Sequence, residues 1–458
     1  MVGCIWGVGA LESPDFKVRP DSALPVRFFA LGLAGLLLLN AGMALDPGAV
    51  RWPLPAHGIL FLHLTVLGWI TPVMIGADYQ LIPVVLHRPL RAQRLAGVVF
   101  WVYAAGVAAF LVGWGVGRAP LVAAGGAAAG AALLLFCAHA GSALVRTERW
   151  GPPALGLGGG LGFLTLTAVA GPSMALSIGG AVPAGAFATL RAVHAAAGLS
   201  GWLLLTIMGA TYELVPFFAA TGPAIRPRFG TAAVACAGVG TLLLLASGLA
   251  PAVPPAAGLV VIGVGVAAWI YDLARLAHHG RQTRREPVVR YSLSAALVIG
   301  VGGAVAAAAW GAHSLRLAMA GTVLGLVAGP SLLILGQLQK ILPFLAALDA
   351  ALAAKRQGRA PKTQALFPRE RASAILWALA AGFLAESVGV ATATMLVVRL
   401  GALVILAAAG VYAVQQSRAL AVWRTARHAP LASPIGLGDH PRRATGRTGA
   451  SKGRDGGG

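Results

Sequence analysis

The stretch GADYQLIP, Gly76 to Pro83, closes a long apolar segment, and the chain repeats its pattern twice, as GATYELVP from Gly209 to Pro216 and GQLQKILP from Gly336 to Pro343. In each copy a tyrosine or glutamine follows the glycine by three residues and a proline follows it by seven. The glycines lie 133 and 127 residues apart, so the sequence reads as three tandem units of nearly equal length. Upstream of the copies sit His57 and His63, then His194, then His313, each near the start of its segment. An imidazole in an apolar helix costs free energy unless it binds or pairs with something, which makes these four the first candidates for function.

Outward from the motifs, the composition is that of a membrane protein: 58% hydrophobic and 11% charged. Apolar stretches of about twenty residues, the length a bilayer core requires, recur from Phe28 to Val414. Twelve such stretches, four per unit, predict an all-α polytopic membrane protein with twelve transmembrane helices in three pseudo-threefold arcs of four. The membrane domain spans 27–416, with repeats at about 27–143, 154–276 and 292–416. Residues 1–26 read as an N-terminal segment, 346–372 as a solvated basic loop or a docking surface, and 417–458 as a basic, Gly-rich disordered tail. The start of the chain lacks the basic, apolar, small-residue order of a cleaved signal, so the first helix reads as an uncleaved anchor.

The net charge of +21 then tests the topology. With the N-terminus inside, thirty of the 35 Lys and Arg residues fall on the inner side, and only Arg51, Arg118, Arg191, Arg316 and Arg399 fall at the outer face. This positive-inside bias predicts cytoplasmic termini in a bacterial inner (cytoplasmic) membrane, with the lipid bilayer as partner and no nucleic acid. Cys4, Cys137 and Cys236 are scattered singly, and no Cys-x-x-Cys-His occurs, so neither covalently attached heme nor a cysteine metal site is expected.

Helices 2, 6 and 10 run in the same direction, which places the four histidines at one level near the outer face and the motifs at the inner ends. Each histidine also has a plainer reading as an interfacial side chain. His87, His139, His278, His279, His428 and His440 read as solvated. Tyr79 and Tyr212 fit an aromatic belt or a proton route, Asp78 and Glu213 fit interfacial solvation or proton uptake, and Glu386 faces the histidine layer or pairs with Arg399.

The twelve-helix, three-arc plan and the segment HLTVLGWITPVMIGADYQLIP, His63 to Pro83, resemble the catalytic subunit of heme–copper oxidases and nitric oxide reductases. In plan the resemblance covers 27–416; in residues it covers this segment and its echo at 194–216. It implies His63 as a ligand of a low-spin heme b and puts His194 roughly at the place of a copper ligand on helix 6, although Gly198 stands where the oxidases have tyrosine. Helix 7 has no histidine over 230–250, and positions 321–323 are Gly, Thr and Val where the family has a His-x-His pair. The binuclear centre is thus absent as written. A second ligand from helix 10, Met319 or His313, would complete one heme, unless water or nothing takes that position, and Arg51, Arg191, Arg316 and Arg399 would pair with its propionates. The function implied is b-type heme electron transfer or redox chemistry on O2 or NO, with cytochrome c or quinol as donor and small respiratory subunits as partners; whether the chain is an enzyme stays open. The alternatives are a non-catalytic heme- or copper-binding sensor or assembly protein on the same scaffold, and a membrane transporter.

Overall fold

The computed structural model describes residues 21–428 apart from short stretches, of which 179–183, 222–226 and 357–365 are the longest. The described residues contain twelve helices long and apolar enough to cross a membrane: α1 (Ala23–Leu45), α2 (Gly58–Val85), α3 (Gln93–Gly115), α4 (Ala119–Leu144), α5 (Pro152–Ile178), α6 (Ala186–Ala219), α7 (Gly230–Leu249), α8 (Pro255–His278), α9 (Pro287–Gly311), α10 (Leu315–Ala354), α11 (Arg371–Thr392) and α12 (Met395–His428).

Their packing repeats with a period of four helices. Helices α2, α6 and α10 touch one another at the centre, and the other nine close a ring around them in the order α1, α3, α4, α5, α7, α8, α9, α11, α12 and back to α1. Burial marks the same division, for 61% of the apolar window is buried in each central helix against 28–50% in the others. The motif glycines set the spacing within each unit. A Cβ on Gly76 would lie 2.8 Å from Phe28 Cβ of α1, one on Gly209 2.9 Å from Gly156 Cα of α5, and one on Gly336 2.2 Å from Tyr291 Cβ of α9. Each glycine is therefore where a central helix crosses the first helix of its own unit, at a distance no side chain allows.

The ends depart from the hydropathy pattern in two places. Helix α10 continues past Pro343 to Ala354, and α12 runs on to His428, so 346–354 is not loop and 417–428 is not disordered tail. The first extension is rich in Ala and Leu and the second in Ala and Arg, which favour helix whether or not lipid surrounds them. Arg359 and Lys362 of the expected basic loop, residues 1–20 and residues 429–458 lie outside the described residues. At this end the helices are tied together: Trp423 donates from Nε1 to Ser22 Oγ at 3.0 Å, Ser22 Oγ donates to Asp349 Oδ2 at 2.7 Å, and Arg427 pairs with Asp21.

Periodicity alone does not announce the third feature. Each central helix carries one wide, π-helical segment, Leu64–Ile70 in α2, Ala197–Leu204 in α6 and Val323–Ala328 in α10. Leu64 and Ala197 both precede their motif glycine by 12 positions and Val323 precedes Gly336 by 13, so the three occupy one register. In α2 and α10 a proline follows, Pro72 and Pro330, whose ring would clash with a carbonyl of the preceding turn; widening that turn relieves the clash. Helix α6 has no proline there, but Gly198 and Gly201 lower the cost of irregular backbone. Indoles from two of these segments bind the core, Trp69 Nε1 donating to Ser331 Oγ at 2.8 Å and Trp202 Nε1 to Thr71 Oγ1 at 3.5 Å.

Candidate functional site

His63 ends the last regular turn before the π segment of α2, and His194 stands three residues before that of α6. Every residue is worth about 100° of rotation in a regular helix, so the wide turns re-aim the side chains that precede them. The two imidazoles meet, with ring centroids 6.4 Å apart and planes inclined by 26°.

Both rings are held by the same nitrogen. His63 Nδ1 is 2.9 Å from the Ile59 carbonyl of its own helix, and His194 Nδ1 is 3.2 Å from the Thr167 carbonyl of α5. A carbonyl only accepts, so each Nδ1 carries the proton and each Nε2 keeps its lone pair. Among the described residues neither Nε2 meets a hydrogen-bond donor. This is the arrangement by which a second contact fixes the tautomer of a ligating histidine. Phe110 of α3 packs on His63 with centroids 5.0 Å apart. Gly171 of α5 makes room for His194, since a Cβ there would come within 2.8 Å of the ring. Thr167, Gly171 and Phe110 carry no motif; the Gly-Pro step at 171–172 inside an apolar helix was the one visible hint.

The other expected site residues stay apart from this pair. Met319 packs with Leu39, Val390 and Val398 in a separate apolar cluster, so the residue that reaches His63 is His194 of α6, not Met319 of α10. His313 is exposed in the turn before α10, with φ at +57°. His57 is half exposed and its Nε2 lies 3.0 Å from Asp46 Oδ2. Arg51, Arg191, Arg316 and Arg399 are all exposed near the ends of their helices on the same side of the bundle as the pair, and Arg399 reaches the Leu45 carbonyl at 3.5 Å. Glu386 does not pair with Arg399. It is buried on α11, in room that Gly401 of α12 leaves, and its Oε1 has no partner among the described residues. No group of three or more His, Cys, Asp or Glu side chains able to hold a metal occurs among the described residues.

The motif ends depart furthest from their interfacial reading. Tyr79 and Asp78 are buried, and so is His139, whose Nδ1 is 3.5 Å from the Tyr79 hydroxyl. Tyr212 donates to Asp272 Oδ2 at 3.3 Å instead of standing in a belt. The ring of outer helices encloses the motif turns, and this shields them from headgroup and water. His278, His279 and His428 are exposed as expected, whereas His87 and His440 lie outside the described residues.

The chain matches no family model, and no curated protein matches it.

Proposed function

We propose that this chain is a heme-binding integral membrane protein, on a plan resembling the heme–copper oxidase and nitric oxide reductase subunit, and that it holds one b-type heme for electron transfer. The approach of His63 to His194, each with Nδ1 anchored and Nε2 unpartnered, carries this reading. Two nitrogen donors without a third ligand are too few for a tetrahedral or octahedral ion, but they suit an iron whose other four positions a macrocycle fills. Bound there, heme b supplies one-electron redox chemistry. His63 and His194 would hold its iron, and Arg51, Arg191, Arg316 and Arg399 would supply cations at that end for its propionates.

Held by both histidines, the iron would have no position left for O2 or NO, which favours electron transfer over their reduction. Cytochrome c or quinol is then the donor class, with small respiratory subunits as neighbours. The basic bias supports cytoplasmic termini in a bacterial cytoplasmic membrane, and the half-buried pair would face the outer side. A single Cu(I) ion, which accepts a linear pair of nitrogens, is the second reading that the same two-donor set favours.

Reduced-minus-oxidised spectra and metal analysis of the purified protein test both. A low-spin b-type signal should be abolished in His63→Ala, converted to high-spin in His194→Ala and kept in His57→Ala and His313→Ala. Copper without heme would favour the second reading, and a full low-spin signal in His63→Ala would overturn the ligand assignment.

A further inference from the structure

The first and second units superimpose in sequence at an offset of 133, which carries Trp69 onto Trp202, Gly76 onto Gly209, Tyr79 onto Tyr212 and His139 onto Asp272. The same offset carries Asp78 onto Thr211 and Phe136 onto Trp269. In the second unit these last two are bonded, Trp269 Nε1 donating to Thr211 Oγ1 at 3.1 Å. In the first unit the donor has become a phenyl ring and the hydroxyl a carboxyl. Asp78 is consequently 1% exposed with Oδ2 unpartnered, and no basic side chain is paired with it among the described residues. A buried carboxylate without a counter-charge is too costly to persist, so the group must take its compensation from outside the protein.

We infer that Asp78 is a proton-binding carboxyl, loaded from the aqueous phase at the end of the bundle where the described chain ends meet, through the Tyr79–His139 pair. The titratable groups around it are Tyr79 on its own helix and Cys137 and His139 on α4; α1 faces this turn with Phe28 and Phe29. Tyr79 and His139 can both give and accept a proton, and His139 lies five residues before the end of α4. One proton moves from water by way of imidazole and phenol and then through a bridging water to Asp78 Oδ2, which no protein group reaches directly, and the same path returns it. Nothing in this requires heme.

Infrared spectroscopy of the full-length protein in lipid nanodiscs tests it. At neutral pH the protonated-carboxyl C=O band should contain a component that shifts in D2O and is lost in Asp78→Asn. Asp78→Thr/Phe136→Trp, which rebuilds the bond of the second unit, should lose the same component and guards against a misfolded single variant. Tyr79→Phe or His139→Phe should retain the component but slow its deuterium shift about tenfold or more, as expected for loss of a positioned proton carrier. An unchanged carboxyl region in both Asp78 variants would overturn the site. Unchanged exchange in both Tyr79→Phe and His139→Phe would overturn the route. Loss of the heme signal in His63→Ala has no bearing on either result.

Discussion

The first and second units have the same backbone plan but use their equivalent polar positions in opposite ways. In the second, Asp272 is fully engaged: it accepts from Tyr212 and from the backbone N–H groups of Arg228 and Phe229 at 2.8 and 3.0 Å, just ahead of α7, while Trp269 satisfies Thr211. In the first, His139 replaces the acid, Phe136 removes the indole, and the acid reappears at Asp78 with an oxygen unpartnered. The same four positions thus form a structural cap in one unit and an under-satisfied polar cluster in the other. Proteins retain such groups where function needs them, because elsewhere they only cost stability.

The largest effect should come from what the units share. Gly76→Leu and Gly209→Leu should each destabilise by about 3 kcal/mol through overpacking at the helix crossings, measured by denaturant unfolding in a fixed detergent. A mild effect at only one of them would break the equivalence. Next, Asp272→Ala should cost about 2 kcal/mol by stripping two backbone donors and a phenol of their acceptor, whereas His139→Phe should cost less than about 1 kcal/mol. Equal losses would mean that His139 is also a structural cap. The repeat-swapping Asp78→Thr/Phe136→Trp variant should gain about 1 kcal/mol, since it replaces an orphaned acid with a made hydrogen bond; a loss of that size would say that Asp78 is already compensated. Smallest of all, His57→Ala should change stability by about 0.5 kcal/mol or less, as expected for a half-exposed ion pair with Asp46.

Hydropathy and the three motif copies were enough to read the twelve helices and their grouping, because bilayer length and helix crossing leave their mark on local sequence. The meeting of His63 with His194 was not legible. The two are 131 positions apart, and their approach depends on π segments that no propensity encodes; only Pro72 and Pro330 hint at wide turns, and α6 lacks even that. The expected second ligand was sought on α10, where Met319 turns out to fill an apolar cluster. The burial of Asp78 was missed for a different reason. Distance from a helix end suggested water, but depth within a ring of neighbours decides exposure, and that ring is a property of tertiary packing. The Tyr79–His139 and Tyr212–Asp272 pairs, each 60 residues apart, were available in principle by carrying the 133-residue offset onto α4 and α8.

The closed ring of nine helices has a consequence for how the protein is made. Because each outer helix touches the next among the described residues, a heme bound by His63 and His194 as proposed would enter from the end where that pair lies, or before the ring has shut. One seam joins α1 to α12, the earliest and latest of the described membrane helices, so the ring stays open on that side until α12 has been made. If heme is bound as proposed, order of assembly would control its occupancy: a chain that closed empty would load slowly, and a chain supplied during synthesis would keep what it was given.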